Sequence, residues 1–350
     1  MNFIHSAGAR VNRAERMVSC HRRPLNLNWV MPAEGTSKNF LHRGWHLRCF
    51  YLNVDGPPPL CSRVHECTET QLFYGVMIMG QVPRALTIAG TDPSGGAGIH
   101  ADLKTFQELC VYGMSVITAV VSQNTLGVKT FLDMPLELIE SQMDAVYEDI
   151  RPNAVKTGML SQSDVIRLVA QKMKAYNVDN YVMDPVMVAK SGDALLAETA
   201  KKELVNELLP LTTIVTPNLP EAEEITGRTI QNVQQMKDAA KQIVDEFGAT
   251  AVVVKGGHLD DEARDIYYDG SVFDELVASR YDTKHTHGTG CTFSAAITAE
   301  LAKGTPLRQA VETAKTYITE AIKHPIHLGR GHGPVNHWAY RNRQEGLSRA

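Results

Sequence analysis

The chain has 350 residues, of which 43% are hydrophobic and 21% charged, and its formal net charge is −4. This composition is typical of a globular protein, and no apolar run reaches the roughly 18 residues that a membrane-spanning helix needs. The slight negative charge argues against nucleic acid as the main partner. We therefore expect a cytoplasmic protein whose partners are neither nucleic acid nor a membrane.

Residues 1–80 differ from the rest of the chain. They have an excess of basic over acidic residues, show no sustained helical or alternating pattern, and are interrupted by the glycine and three prolines at 56–59. We expect an N-terminal extension that is either disordered or precedes a true translation start at Met77 or Met79. A single domain is expected over residues 81–345.

From Arg84 onward, short apolar runs alternate with segments of helical spacing. The predicted strands are residues 85–90, 116–121, 154–156, 181–184, 213–216 and 251–255, with shorter runs near 265–268 and 272–278. The predicted helices are residues 97–110, 136–150, 165–176, 198–208, 233–247, 290–302 and 307–322. Strands that alternate with helices in this way predict an α/β fold with a parallel sheet covered on both faces.

Polar and glycine-rich residues follow the predicted strands. In sheets of this kind, ligands bind beyond the carboxyl ends of the strands. The residues at these ends are Gly90-Thr91-Asp92, Gln123-Asn124, Thr157-Gly158-Met159, Asp184-Pro185, Thr216-Pro217-Asn218 and Lys255-Gly256-Gly257-His258. We expect them to converge on one active site.

A glycine-rich turn at residues 287–290 leads directly into a small-residue helix with Cys291 on its first turn. Backbone N–H groups at a helix start bind anions, most often phosphate, and the glycines allow an oxyanion to approach the backbone. The helix dipole would also favour the thiolate of Cys291. The alternative is an ordinary glycine-started helix with a buried cysteine.

The segment from Gly90 to Gly98 contains four glycines but has neither the dinucleotide-binding pattern nor the P-loop pattern. A loop that closes on a small substrate and a plain strand-to-helix turn both remain open. Asp102 is either an acceptor for a polar ligand or a charge near a helix start. The Gln123 amide matches the edge of an aminopyrimidine, or else it caps an element or lies at the surface.

Two carboxylates, Asp184 and Glu221, lie near neighbouring strand ends. Mg²⁺ prefers oxygen ligands, and a few carboxylates together with substrate phosphates suffice to bind it. Asn218 takes part in this site or simply caps the following helix. Lys255 either pairs with a nucleotide phosphate or lies at the surface. Cys110, within a helical pattern, is expected in the core.

Together these segments closely resemble the bacterial hydroxymethylpyrimidine/phosphomethylpyrimidine kinases of the ribokinase-like superfamily, from about Arg84 to Trp338. The segments that carry the resemblance are AGTDPSGGAG (89–98), ADLKT (101–105), KTGML (156–160), DPVM (184–187), TPNLPEA (216–222), KGGH (255–258) and THGTGCT (286–292). The resemblance implies a three-layer α/β/α fold and a homodimer. It also implies two successive transfers from ATP with Mg²⁺: to 4-amino-5-hydroxymethyl-2-methylpyrimidine, and then to its monophosphate, for thiamin biosynthesis.

The resemblance also implies roles for individual residues. The pyrimidine is expected among Gly90, Asp102, Gln123, Met159 and Val186. The nucleotide is expected at Asn218, Lys255 and Thr289, and Mg²⁺ at Asp184 and Glu221. The catalytic set is Gly288, Thr289, Gly290 and Cys291, with Cys291 as the general base.

The sugar kinases of the superfamily usually carry aspartate where this chain has Cys291, which leaves the strength of the base open. A pyridoxal kinase of the same superfamily, or an enzyme with both activities, is the nearest alternative function. A non-catalytic pyrimidine-binding sensor is the second alternative.

Overall fold

The computed structural model describes residues 81–187, 198–257 and 262–344 of the chain. The predictions for residues 1–80 and for His258 lie outside these ranges, as does the predicted end of the domain at residue 345.

The strands are β1 Arg84–Ala89, β2 Tyr112–Ile117, β3 Ala119–Asn124, β4 Gly127–Asp133, β5 Ala154–Thr157, β6 Tyr181–Met183, β7 Ile214–Val215, β8 Val252–Lys255, β9 Glu262–Tyr268 and β10 Phe273–Ser279. The α-helices are α1 Gly98–Glu108, α2 Leu136–Asp149, α3 Ser163–Tyr176, α4 Glu198–Glu203, α5 Leu219–Thr226, α6 Val233–Asp245, α7 Thr289–Ala302, α8 Leu307–Lys323 and α9 Ala339–Gln344. A π-helical turn, Leu204–Leu208, and a 3-10 turn, Leu209–Leu211, continue α4.

The central sheet has the strand order β10-β9-β8-β7-β6-β5-β1-β2. Neighbours from β8 to β2 pair in parallel, whereas β9 and β10 form an antiparallel edge. Apolar residues of α2 to α6 pack on one face, and those of α1, α7 and α8 pack on the other. The predicted three-layer arrangement with a mainly parallel sheet is therefore confirmed.

Helix α7 lies in the centre of one of these layers. Its residues from Thr292 to Ala302 are all buried, and most of them are small. Small side chains let the helix axis lie close to the sheet and to α1, which fixes the start of α7 against the carboxyl ends of the strands.

The prediction of one strand over residues 116–121 is wrong. The chain leaves the central sheet at Thr118, whose N–H is bound by Ala89 O, and β3 then pairs with β4 in a separate two-stranded antiparallel sheet. Gln123 therefore lies on this hairpin and not at the end of a central strand. The hairpin, α5 and α9 are elements that the periodicity of the sequence did not predict.

The prediction that Cys110 belongs to the core is also wrong. Cys110 is exposed and has a φ of 58°, because the chain turns through a left-handed conformation immediately after α1. None of the helices in the described part of the chain has the length and apolar character needed to traverse a bilayer.

Candidate active site

A cleft of about 1620 Å³ opens at the carboxyl ends of the parallel strands. This volume exceeds that of a typical single-ligand pocket, about 300–1,000 Å³, so the cleft has room for two ligands. Nearly all of the predicted site residues line it: Gly90, Gln123, Met159, Asp184, Val186, Asn218, Glu221, Lys255, Gly288, Thr289, Gly290 and Cys291. The exception is Asp102.

The glycine turn before α7 is packed tightly against the loop after β1. Gly288 caps the helix with a φ of 78°, and a Cβ on it would lie only 1.7 Å from Gly96 O. A Cβ on Gly290 would lie 3.4 Å from both Asp184 Oδ2 and Lys255 Nζ. The N–H groups at the start of α7 therefore open beside this acidic and basic pair, in an arrangement that suits a phosphate group carried with a cation.

Cys291 is half-buried on the first turn of α7, and the backbone N–H of Gly98 lies beside its sulfur. Burial raises the pKa of Cys291 to about 11, although the Lys156 ammonium and the Gly98 N–H act to lower it. Loss of hydration thus has the largest effect on this pKa, and the expected effect of the helix start on the thiolate stays a prediction.

Asp102 lies beneath the cleft wall and is completely buried. Its Oδ1 accepts a hydrogen bond from Lys156 Nζ at 2.6 Å, and its Oδ2 accepts one from Thr87 Oγ1 at 2.6 Å. Burial alone would lower the pKa of Lys156, but the Asp102 carboxylate outweighs it and holds that pKa above its usual range. We therefore correct the prediction for Asp102, because both of its oxygens are engaged inside the protein.

A second buried cluster faces the start of α7. Lys255 Nζ lies 3.4 Å from Asp184 Oδ1, with 18% of the lysine side chain exposed. Lys255 thus lies in the cleft and not at the outer surface. Glu221 lies in the same cluster, and burial raises its pKa to about 7; Lys255 acts to lower that pKa and Asp184 to raise it further.

Asn218 caps α5 and also lines the cleft, so it has the expected capping role and its role at the nucleotide stays a prediction. Its Oδ1 accepts the N–H of Glu221 at 2.9 Å, and Glu221 Oε2 accepts the N–H of Asn218 at 2.8 Å, which together form a capping box. The other Glu221 oxygen and the Asp184 carboxylate provide hard oxygen donors for a divalent cation. Among the described residues, no group of three or more metal-ligating side chains occurs. The donor set therefore fits an ion such as Mg²⁺ that brings phosphate and water oxygens with it.

Small and apolar residues line the other part of the cleft. A Cβ on Gly90 would lie 3.0 Å from Met159 Cε and 3.6 Å from Val121 Cγ2, so the backbone at Gly90 is a close-packed wall. Gln123 is half-buried on β3, next to a register shift between Ser122 and Gln123. This region combines apolar walls with the Gln123 amide, which is a suitable environment for a small heteroaromatic ring.

The tip of the β3–β4 hairpin contacts the C-terminal glycine-rich segment at the side of the cleft. Thr125 O accepts the N–H of His332 at 2.8 Å, and Thr125 Oγ1 accepts the N–H of Gly331 at 3.2 Å. Thr125 and His332 both line the cleft. The sequence did not predict this contact, because its partners lie about 200 residues apart. It also did not predict the role of Lys156, which belongs to the KTGML segment, because no local pattern indicates its buried partner.

A family model described as phosphomethylpyrimidine kinase matches residues 92–336. The chain belongs to this family. Relatives of the phosphomethylpyrimidine kinase family include the hydroxymethylpyrimidine/phosphomethylpyrimidine kinase of Bacillus subtilis, which is 49% identical over 268 residues, covering 76% of this chain and 98% of the relative.

Solved structures are similar over the same region. A phosphomethylpyrimidine kinase from Clostridium difficile is 48% identical, with a TM-score of 0.63, and the match covers 69% of this chain and all of that one. A Bacillus subtilis pyridoxal kinase in complex with ADP is 43% identical, with a TM-score of 0.71, covering 75% of this chain and 99% of that one. The predicted ribokinase-like fold and the kinase activity of the family are thereby confirmed.

Proposed function

We propose that this protein transfers the terminal phosphoryl group of ATP to the hydroxymethyl group of 4-amino-5-hydroxymethyl-2-methylpyrimidine, and then to the resulting monophosphate, as a step of thiamin biosynthesis. The observation that carries the proposal is the arrangement of the cleft, where the N–H groups at the start of α7, Cys291 and the Asp184–Lys255 pair lie around one space. The names of the relatives support the substrate, and the ADP complex of one similar structure supports ATP as the donor.

The acceptor ring lies between the backbone at Gly90 and the side chains of Met159 and Val186, with the Gln123 amide at its polar edge. An amide supplies both a donor and an acceptor, which an aminopyrimidine requires along one edge. Burial of the ring in this apolar region excludes water from the hydroxymethyl group, so that the phosphoryl group passes to the alcohol and not to solvent.

The phosphate groups lie over the start of α7. The N–H groups of Gly288, Gly290 and Cys291 and the Lys255 ammonium donate hydrogen bonds to the phosphoryl oxygens, with Thr289 and Asn218 on the nucleotide side. Asp184 and Glu221 would hold Mg²⁺, which supplies charge neutralisation at the phosphates when it is bound. Positioning and charge stabilisation are most of what phosphoryl transfer requires of a protein.

Cys291 accepts the proton of the hydroxymethyl group in the first transfer. The Gly98 N–H and the Lys156 ammonium both favour its thiolate against the effect of burial on its pKa. A general base of this kind contributes roughly 100- to 10,000-fold to a rate. The acceptor of the second transfer is already an anion, so the base contributes less there.

The test is a comparison of both transfers in Cys291→Ser, with Cys110→Ser as the control because Cys110 is exposed and lies on the turn after α1. We expect the first transfer to fall by about 100-fold or more and the second by less than about tenfold. Equal losses in the two transfers would contradict the role of Cys291 as a base, and an inactive wild-type protein would contradict the proposed function itself.

Pyridoxal phosphorylation is a second candidate activity, favoured by the similarity to the pyridoxal kinase of Bacillus subtilis. Parallel assays with pyridoxal and hydroxymethylpyrimidine give the ratio of the two activities. A non-catalytic sensor has no need of the Asp184–Lys255 pair beside a phosphate-binding helix start, and ATP consumption with the pyrimidine distinguishes it from a kinase.

We also propose that the protein is a homodimer that pairs through the β3–β4 hairpin. Val120 and Leu132 lie opposite each other on the hairpin, with 48% and 68% of their surfaces exposed, and Leu126 at its tip is 66% exposed. A two-stranded sheet is marginally stable alone and gains from a covering surface. Light scattering should give a dimer for the wild type and a monomer for Val120→Lys/Leu132→Glu, whereas Val277→Lys, at another exposed apolar position, should remain dimeric.

A further inference from the structure

Asp92 lies in the glycine-rich loop between β1 and α1, and it is completely buried. Its Oδ1 accepts hydrogen bonds from Ser94 N at 2.8 Å and Ser94 Oγ at 2.7 Å. Its Oδ2 accepts three more, from Gly96 N at 3.0 Å, Ala97 N at 2.8 Å and His287 Nε2 at 2.9 Å. This carboxylate thus organises its own loop and also reaches the turn before α7.

The ionisation of Asp92 determines which nitrogen of His287 carries hydrogen. Burial acts to raise the pKa of Asp92, but the hydrogen bonds from His287 and Ser94 outweigh it and hold that pKa well below its usual range. An ionised carboxylate only accepts hydrogen bonds, so Nε2 of His287 is protonated. The His287 backbone is held as well, because its N–H donates to Gly333 O at 3.0 Å and its carbonyl accepts the N–H of Val335 at 3.2 Å.

The two loops that this pair joins are in direct contact. A Cβ on Gly96 would lie 2.7 Å from His287 Cδ2, and a Cβ on Gly288 would lie 1.7 Å from Gly96 O. Two residues after Gly96, the N–H of Gly98 lies beside the Cys291 sulfur and acts to lower the pKa of the thiol. The relative position of Gly98 and Cys291 therefore depends on the hydrogen bond between Asp92 and His287, which joins the two loops.

We propose that Asp92 and His287 form a positioning pair that holds the Gly98 amide beside the Cys291 sulfur, where it supports the proton transfer of the first phosphorylation. The inference rests on the proposed function, since the transfer is what the pair positions. Neither side chain need touch the reacting atoms. A displacement of about 1 Å at a reacting group is enough to cost about 100-fold in rate, so a hydrogen bond that fixes two loops has a large effect on turnover.

Three variants test the pair in the full-length protein. Asp92→Asn replaces one acceptor oxygen by an NH₂ group that cannot accept a hydrogen bond. His287→Ala removes the donor, whereas His287→Gln keeps an N–H donor at a similar reach. Asp269→Asn is the matched control, because Asp269 Oδ1 accepts hydrogen bonds from Ser271 N, Ser271 Oγ and Val272 N in a turn outside the cleft.

We expect Asp92→Asn and His287→Ala to lower kcat of the first transfer by about 100-fold, with KM for the pyrimidine changed by less than about threefold. The second transfer should fall by less than about tenfold, because it depends less on Cys291. His287→Gln should stay within about fivefold of the wild type, and Asp269→Asn should equal it. If Asp92→Asn does not fold, the comparison of His287→Ala with His287→Gln still tests the positioning pair.

Equal losses in both transfers, a loss confined to KM, or a His287→Gln variant as weak as His287→Ala would each overturn the pair as a positioning device. A second measurement needs no turnover: the rate of iodoacetamide labelling at Cys291 relative to Cys110, resolved by peptide mass spectrometry at one pH. Displacement of the Gly98 N–H from the sulfur should lower this ratio about fivefold in His287→Ala and leave it unchanged in His287→Gln. An unchanged or higher ratio in His287→Ala overturns the inference even if the protein phosphorylates neither substrate.

Discussion

The buried ion pair between Lys156 and Asp102 predicts a large and specific effect on stability. Both side chains are completely buried, and Lys156 Nζ lies 2.6 Å from Asp102 Oδ1. Lys156→Met fills much of the same space but leaves the Asp102 carboxylate with Thr87 as its remaining side-chain donor. Breaking a buried pair from one side costs about 3–5 kcal/mol, because an uncompensated charge stays inside the protein.

This loss of free energy of unfolding corresponds to a lower melting temperature. For a domain of about 250 residues, 1 kcal/mol lowers the unfolding midpoint by about 2–4 °C, so Lys156→Met should unfold roughly 6–20 °C below the wild type. The double variant Lys156→Met/Asp102→Leu removes both charges and should regain at least about half of the loss. Calorimetry or circular dichroism at neutral pH gives all three midpoints.

The matched control is Lys174→Met, which breaks an ion pair with Glu207 at 3.3 Å in which the side chains are 54% and 43% exposed. Exposed pairs contribute less than about 1 kcal/mol, so its midpoint should fall by no more than about 3 °C. The reasoning is refuted if Lys156→Met unfolds as near to the wild type as this control. It is also refuted if the double variant is as unstable as Lys156→Met alone.

Three further predictions concern the cleft and its supports. Gly288→Ala should abolish most activity and lower stability, because its Cβ would lie 1.7 Å from Gly96 O. Gly304 also has a positive φ, but a Cβ there would have no atom within 4 Å. Gly304→Ala should therefore lower the free energy of unfolding by only about 1 kcal/mol. Glu221 has its pKa raised from 4.5 to about 7 by burial, so the stability it contributes is complete below pH 4.5 and is lost as pH rises through about 7. Urea titrations should therefore find Glu221→Gln more stable than the ligand-free wild type at pH 8 by about 3 kcal/mol, and equal to it near pH 4.5. Burial lowers the pKa of His337 from 6.5 to about 4, so the stability that the neutral imidazole contributes is present above pH 6.5 and is lost as pH falls to about 4. His337→Gln should therefore lose less stability than the wild type over this range, and an equal loss would contradict the prediction.

The sequence was informative where one local pattern decides the structure. Buried parallel strands such as β6 and β8 are short apolar runs, and the polar residues at their ends meet because parallel strands share a carboxyl edge. The same reasoning predicted that Asp184, Asn218 and Lys255 converge on one site, and all three line the cleft.

The sequence was uninformative where the environment of a residue depends on residues far away in the chain. Asp102 is held by Lys156, which lies 54 residues away, and nothing in the local pattern of α1 indicates that partner. For Cys291 the sequence predicted the effect of the helix start, but burial, which depends on the whole fold, has the larger effect on its pKa. Cys110 shows the reverse, since its apolar neighbours suggested a core position that a left-handed turn moves to the surface.

The contact of Thr125 with Gly331 and His332 joins two segments that lie about 200 residues apart in the sequence. Two hydrogen bonds contribute about 1–3 kcal/mol together, so local opening breaks such a contact far more often than the whole domain unfolds. The hairpin tip can therefore part from the C-terminal segment while the parallel sheet and the start of α7 keep their places.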